Sequence, residues 1–189
     1  MLMFFDTEFS GLHKDTTLIS LGIVAEDGNT FYAEFNDYDK GQCDDWIQEN
    51  VINNLYGEEK INSLRKTEFN AHVYGNKQQV TKELKLWLQQ YKDENIQFVS
   101  DVSHYDFVLL IDLFGSAFDL PKNISASCHD INQDLALYLD ISDKEAFDIN
   151  REEFLIDNNY KIENANKHNS LFDAYIINEI YNVVHGLRS

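Results

Sequence analysis

Residues 2–35 read LMFFDTEFSGLHKDTTLISLGIVAEDGNTFYAEF and contain three strand-like runs. Its first apolar run, residues 2–5, predicts a short buried strand that leads into the first acids of the chain. Residues 17–26 are rich in Leu, Ile and Val and predict a second strand. Asp27-Gly28 then indicates a hairpin turn, because glycine tolerates the positive φ that such turns need. With residues 29–35 returning as an alternating strand, the stretch predicts a three-stranded antiparallel meander.

The rest of the chain alternates between helical and strand-like patterns, without an internal repeat or a Gly/Ser linker. We therefore expect one α/β domain with a mixed sheet over residues 1–189. The predicted elements are an irregular helical region (44–64), a helix capped by Asn76, a strand (96–100), a helix (105–114) ended by Gly115, a fifth short strand within 121–127, a helix (131–139), a helical patch (152–156) and a final helix (171–184).

Charge is the most unusual feature of the composition. The 189 residues include 15 basic and 33 acidic side chains, which gives a net charge of −18. Nucleic-acid binders normally contact phosphate through Lys and Arg, so this charge disfavours tight non-specific duplex binding and an anionic membrane partner. An enzyme whose bound metal supplies the positive charge remains compatible with it.

Two cysteines and a short apolar start bear on where the protein is found. Cys43 and Cys128 lack the spacing of a zinc site, and we interpret them as buried thiols of a reduced protein. The apolar run of residues 1–5 is too short for a signal peptide and has no basic leader before it. No stretch of the chain approaches the length of a membrane span. The expectation is a cytoplasmic protein.

Four carboxylates and one imidazole are the candidate functional groups. Asp6 and Glu8 are two residues apart in a predicted strand, so both side chains face the same side. Two acids beside an apolar run are costly to bury unless a cation binds between them. The alternative is a strand end that has reached solvent.

The other candidates also have structural alternatives. Ser103 and Asp106 have the spacing of a helix capping box, as do Ser170 and Asp173, and a capping acid only secures a helix end. His168 precedes the last helix, where an isolated histidine is usually solvated, although an ordinary pKa of about 6.5 suits a base at neutral pH.

In their order and internal spacing, three motifs resemble those of the DEDD (DnaQ-like) 3′–5′ exonucleases. They are Asp6-Thr7-Glu8-Phe9-Ser10-Gly11-Leu12, Val99 to Asp106, and His168-Asn169-Ser170-Leu171-Phe172-Asp173. His168 stands five residues before Asp173, and the position of the tyrosine form is Asn169, so the resemblance is to the histidine (DEDDh) subgroup. Residues 113–121 are also similar to a branch related to ribonuclease T and described as RNase AS-like, which acts on RNA.

The resemblance implies a fold, a site and a reaction. The fold would be RNase H-like, with a five-stranded mixed sheet in the order 3-2-1-4-5 flanked by helices. Two Mg²⁺ or Mn²⁺ ions would be bound by Asp6, Glu8, Asp106 and Asp173, and His168 would act as the general base for a water nucleophile. Thr7 and Phe9 would contact the terminal nucleotide of a single-stranded substrate.

Several alternatives stay open at the level of sequence. Asp101 stands where the family often has His, which makes it a rival of Asp106 as the middle carboxylate. RNA is favoured over DNA as substrate, but the choice turns on contacts to the 2′-hydroxyl. A non-catalytic acidic protein that mimics nucleic acid or binds a basic partner is the rival of another class. Relatives of this type often form homodimers, and the role of residues 140–167 is open.

Overall fold

The computed structural model describes residues 1–64, 67, 69–162 and 167–187. It is a mixed α/β structure in which helices flank a six-stranded sheet, consistent with the expected RNase H-like fold. The sheet order is β4-β3-β2-β1-β5-β6. The strands are β1 (Leu2–Phe9), β2 (Leu18–Ala25), β3 (Thr30–Phe35), β4 (Asn70–Gly75), β5 (Ile96–Ser100) and β6 (Ile124–Asp130).

The predicted meander is confirmed and forms the centre of the sheet. β1 pairs antiparallel with β2, and β2 pairs antiparallel with β3. Gly28 turns the chain between β2 and β3 at φ 85°, the left-handed conformation that glycine adopts without steric cost. β5 lies parallel to β1 on the other side, which makes β1 a central strand with neighbours on both edges.

The prediction of five strands is wrong by one edge strand. β4 pairs parallel with β3 at the edge of the sheet, and without it the order is the expected 3-2-1-4-5. β4 is short and only alternate residues are buried, so its pattern is weak in sequence. The last strand also differs from the prediction: β6 covers residues 124–130 rather than part of 121–127, and pairs parallel with β5.

The helices follow the predicted pattern except for α6, which was not predicted in the polar stretch after residue 140. Asn76 caps α3 in a full capping box with Gln79, and Gly115 ends α4 at φ 109°. Residues 163–166, which belong to the stretch 140–167 whose role is open, lie outside the described residues. The helices are α1 (Asp45–Asn50), α2 (Gly57–Ser63), α3 (Lys77–Leu88), α4 (His104–Phe114), α5 (Ile131–Leu139), α6 (Asp143–Phe147), α7 (Arg151–Asp157) and α8 (Ser170–Val184).

Alternation along β1 divides the hydrophobic core between the two faces of the sheet. Phe5 is fully buried and packs with residues of α3 and α4, whereas its neighbour Phe4 packs with α5, α7 and α8. Successive side chains of a strand point to opposite faces, so the next two even positions lie on the α8 side. Both faces of the central strand are therefore covered up to the point where its acids begin.

Within the described part of the chain, no helix combines the length and apolar character needed to cross a bilayer.

Candidate active site

Two carboxylates stand at the carboxyl end of the central strand. Asp6 and Glu8 project from the same face of β1, and Thr7 between them points to the opposite face. In the antiparallel register Asp6 lies opposite Gly22, and Glu8 lies opposite Ser20. The start of α8 rests on those two positions of β2.

Close packing of α8 on β2 brings the third acid to the strand. Ser170 and Ser20 are both fully buried, and their hydroxyl oxygens are 2.9 Å apart. A Cβ atom on Gly22 would lie only 2.3 Å from the main chain of Ser170, so the helix can approach this closely only over glycine. Asp173, in the first turn of α8, thereby faces the same cleft as Asp6 and Glu8.

His168 precedes this helix and faces Glu8. Its backbone is left-handed, with φ 63°, which is uncommon for a residue other than glycine. The imidazole Nδ1 is 3.9 Å from Glu8 Oε1, and the ring meets Trp46 edge-on with centroids 5.0 Å apart. Burial and then the nearby Lys167 ammonium lower the pKa of His168, which favours the neutral ring that can accept a proton.

Asp106 is held directly against β1. It is buried in the first turn of α4, and its Oδ1 accepts a hydrogen bond from the Thr7 backbone N–H at 3.1 Å. The Thr7 hydroxyl donates to the same oxygen. These contacts join α4 to the strand that carries Asp6 and Glu8.

The capping-box alternative is wrong for both helices. The side chain of Ser103 makes no capping hydrogen bond at the start of α4. At the start of α8 the cap is Asn169, whose side chain accepts from the Phe172 N–H, while Ser170 pairs with β2. Asp106 and Asp173 are therefore not the acids of Ser-x-x-Asp boxes.

Asp101, the alternative to Asp106 as the middle carboxylate, forms an ion pair with Arg151. Its two carboxylate oxygens accept from Arg151, Nε to Oδ2 at 2.7 Å and a terminal nitrogen to Oδ1 at 3.0 Å. Asn132 also donates to Oδ1, at 2.7 Å. Asp101 borders the cleft, but its charge is already balanced, whereas the described contacts of Asp106 include no cation.

Burial and mutual repulsion shape the acidity of the four carboxylates. Burial, followed by the neighbouring acids, raises the pKa of both Asp6 and Glu8 well above their usual values. Burial raises the pKa of Asp106 to about 6, although the Thr7 hydrogen bonds lower it. Burial and then Glu152 raise the pKa of Asp173 to about 7. The group is costly to ionise without a cation.

The donor set fits a divalent metal. Glu8, His168 and Asp173 can each offer a ligand atom such that the three atoms lie within 4.8 Å of one another. The carboxylate oxygens of this group suit Mg²⁺ and Mn²⁺. A cation here would also relieve the repulsion that raises the carboxyl pKa values.

The acids lie in a cleft of about 900 Å³. Large apolar side chains project from its border, since Leu12, Trp46 and Phe147 are 78%, 54% and 56% exposed. The five candidate catalytic residues all line this cleft, together with Thr7, Phe9, Asp44, Asp101, Asn150, Arg151, Glu152 and Lys167.

The two expected substrate contacts make other contacts in this structure. Both donors of Thr7 are directed to Asp106, and its side chain is buried. Phe9 stacks on Tyr105 of α4, with centroids 5.4 Å apart. Their contact with a nucleotide stays a prediction.

Three residues of the site, Gly22, Trp46 and Arg151, were not predicted from the sequence. An isolated glycine in a strand pattern can mark a close backbone approach, so Gly22 carried a usable signal. Trp46 and Arg151 carried none, because their partners His168 and Asp101 are distant in sequence.

The chain belongs to the 3′-5′ exoribonuclease Rv2179c-like domain family, which matches residues 1–185. This places the fold and the cleft described above in a family named for nuclease activity.

Two Mycobacterium tuberculosis proteins are similar to this chain. One is 3′-5′ exoribonuclease Rv2179c of strain ATCC 25618 / H37Rv, and the other is 3′-5′ exoribonuclease MT2234.1 of strain CDC 1551 / Oshkosh. Each is 27% identical over 133 residues, which cover 70% of this chain and 73% of the relative.

Proposed function

We propose that this protein is a metal-dependent 3′–5′ exonuclease of the DEDDh type, formed as one domain, that removes nucleotides from single-stranded RNA. Family membership and two relatives named as exoribonucleases support the class of reaction. The observation that carries the proposal is the convergence of Asp6, Glu8, Asp106, His168 and Asp173 on one cleft.

The four carboxylates would hold two Mg²⁺ or Mn²⁺ ions. When bound, such ions supply Lewis-acid stabilisation of the charge on the phosphate and on the leaving 3′ oxygen. Asp6 and Glu8 are fixed by the central strand, and Asp106 is oriented by Thr7. Asp106 therefore keeps its second oxygen, Oδ2, for a ligand while Oδ1 is engaged.

His168 is proposed as the general base. Its lowered pKa keeps the ring neutral near pH 7, so a ring nitrogen can take a proton from the attacking water. Asn169 stands where the tyrosine form of the family has its tyrosine. Its side chain caps α8 and donates to Tyr32 Oη at 3.2 Å, which supports the histidine subgroup. Asn169 is thereby engaged in structure, while His168 faces the acids.

The border of the cleft supports a single-stranded substrate. Exposed Leu12, Trp46 and Phe147 offer apolar surface to unpaired bases, and stacking on aromatic side chains does not depend on a basic surface. Lys167 is the lining cation we assign to a phosphate, since its side chain is 55% exposed whereas Arg151 is engaged with Asp101. Apolar surface and bound metal would let the cleft hold a substrate in a protein of net charge −18.

Matched 5′-labelled oligomers of RNA and DNA with one sequence test the proposal. We expect Mg²⁺-dependent shortening of the RNA from its 3′ end, faster than that of the DNA, and none of a fully paired duplex. Faster cleavage of DNA would assign a DNA exonuclease. The absence of metal-dependent cleavage of either oligomer would favour the non-catalytic acidic protein.

A further inference from the structure

Arg151, at the start of α7, is fully engaged in hydrogen bonding although it borders the cleft. Its side chain is 13% exposed. Nε and one terminal nitrogen bind the two oxygens of Asp101, and that terminal nitrogen also donates to Asn132 Oδ1. The other terminal nitrogen donates to the carbonyls of Ala146 and Ile149, both at 2.8 Å. All five N–H groups of the guanidinium are therefore used.

These bonds join two separate parts of the molecule. The two carbonyls belong to the α6–α7 corner, residues 146–151, which turns the chain between the two short helices. Asp101 belongs to the turn between β5 and α4, and Arg151 is 50 residues away from it in sequence. The guanidinium therefore ties the corner to the turn that leads to Asp106.

The turn also has supports besides the guanidinium. Val102 is left-handed at φ 57°, a strained conformation for a β-branched residue. The Ser103 N–H approaches Asp130 Oδ2 at 3.4 Å, and Asn132, which also accepts from Arg151, binds both Asp101 and Asp130. Thr7 holds Asp106 directly, so we expect that carboxylate to keep its place when the guanidinium is removed.

The α6–α7 corner is bound directly by Arg151, whose guanidinium donates to two of its carbonyls. Its apolar contacts are the buried Ala146 and the partly buried Ile149, which pack into the core on the α8 side of the sheet. Phe147, Ile149 and Asn150 of the corner line the same cleft as the acids of β1.

We propose that Arg151 is a positioning residue that holds the α6–α7 corner as one wall of the substrate cleft, anchored on Asp101. This inference rests on the proposed function. The wall would fix the bases of an RNA strand without taking part in phosphodiester cleavage, so it should matter for long substrates and not for small ones.

The test uses Arg151→Met, which keeps most of the side-chain length and removes the donors. Asp101→Asn/Arg151→Met is the matched double variant, because it removes the carboxylate left unpaired by the single substitution. Hydrogen exchange measures protection of residues 146–151, and kinetics compare a single-stranded RNA oligomer with bis(p-nitrophenyl) phosphate, a small diester that reaches the acids alone.

In both variants we expect faster exchange at the corner and a KM for RNA raised about tenfold, and in the double variant, which keeps the net charge beside the acids unchanged, hydrolysis of the small diester within about twofold of wild type. Arg151→Lys, which keeps a charge near Asp101, should recover part of the KM. Unchanged exchange, or an equal loss with both substrates, would overturn the positioning role. A wild-type protein that leaves RNA intact would overturn the proposed function itself, whereas an active wild type with an unchanged KM in the variants overturns this inference alone.

Discussion

The main chain of Ser170 lies so close to Gly22 that a Cβ atom added to the glycine would be 2.3 Å from it. This contact sets the distance between α8 and the sheet, and with it the distance from Asp173 to the acids of β1. Gly22 lies opposite Asp6 in the register of the strands, so the glycine on which α8 packs is also the neighbour of a candidate catalytic acid.

Gly22→Ala should therefore disturb both stability and the site. The added methyl group must displace α8, and overpacking of this kind costs about 1–3 kcal/mol. Urea unfolding measures the loss. Gly41→Ala is the control, because its Cβ would meet only the Asp39 side chain, at 3.2 Å. Equal stability of the two variants would contradict the close approach of α8.

Thr7→Val should weaken metal binding through Asp106. The substitution keeps the shape and removes the hydroxyl donor that lowers the pKa of Asp106, so that pKa should rise above about 6. Because metal ligands must be deprotonated, Mn²⁺ affinity should fall more at pH 6 than at pH 8. Calorimetric titration at the two pH values checks this, with Thr81→Val on α3 as the control. If the loss of Mn²⁺ affinity were equal at the two pH values, the Thr7–Asp106 contact would not be the cause of that loss.

The metal-free protein should lose stability as pH rises. Burial raises the pKa of Asp173 to about 7, and an unfolded aspartate titrates near 3.9, so the folded state holds the proton more tightly. The stability from this protonation is complete below the unfolded value and disappears as pH rises through about 7. Thermal melts with EDTA at pH 5.5 and 8 should show a lower Tm at pH 8, and a smaller difference for Asp173→Asn. Asp157→Asn, at an exposed position, is the control. If Tm fell between pH 5.5 and 8 by as much in Asp173→Asn as in wild type, the prediction would be contradicted.

Secondary structure was largely predictable because it depends on local patterns. The meander, the capped helix after Asn76 and the final helix all follow from periodicity and turn residues within a few positions of one another. β4 was missed because an edge strand with only Ala71, Val73 and Gly75 buried has little apolar signal.

The candidate site was predictable only as a set of residue types. Motif spacing indicated the five residues, but spacing carries no information on which of Asp101 and Asp106 meets a cation of the protein. That depends on Arg151, whose position is fixed by tertiary packing. The positions of Trp46 and Lys167 beside His168 and Glu152 likewise arise only in the folded chain.

His168→Gln should separate proton transfer from substrate binding. If His168 is the base, kcat should fall by about 10²–10⁴-fold while KM for RNA changes little. Its pKa is lowered, so the part of the acid-side decline in rate that His168 causes should fall below pH ~6.5 and disappear in the variant, which keeps the decline caused by protonation of the metal-binding carboxylates. Rates of RNA hydrolysis from pH 5 to 9 measure both effects. His104→Gln, on an exposed residue at the start of α4, should behave as wild type, and a His168→Gln variant with unchanged kcat would exclude the base role.

Hydrolysis of a 5′-labelled single-stranded RNA by wild type, Asp106→Asn and Asp44→Asn tests whether these carboxylates form a metal-dependent nuclease site. Asp44 borders the same cleft and caps α1, a role that asparagine retains, so it controls for the chemical change alone. We predict shortening from the 3′ end by wild type and Asp44→Asn in Mg²⁺, none in EDTA, and a loss of at least about 10²-fold in Asp106→Asn. Cleavage by Asp106→Asn at the wild-type rate, or cleavage that persists in EDTA, would contradict a metal-dependent site built on these carboxylates.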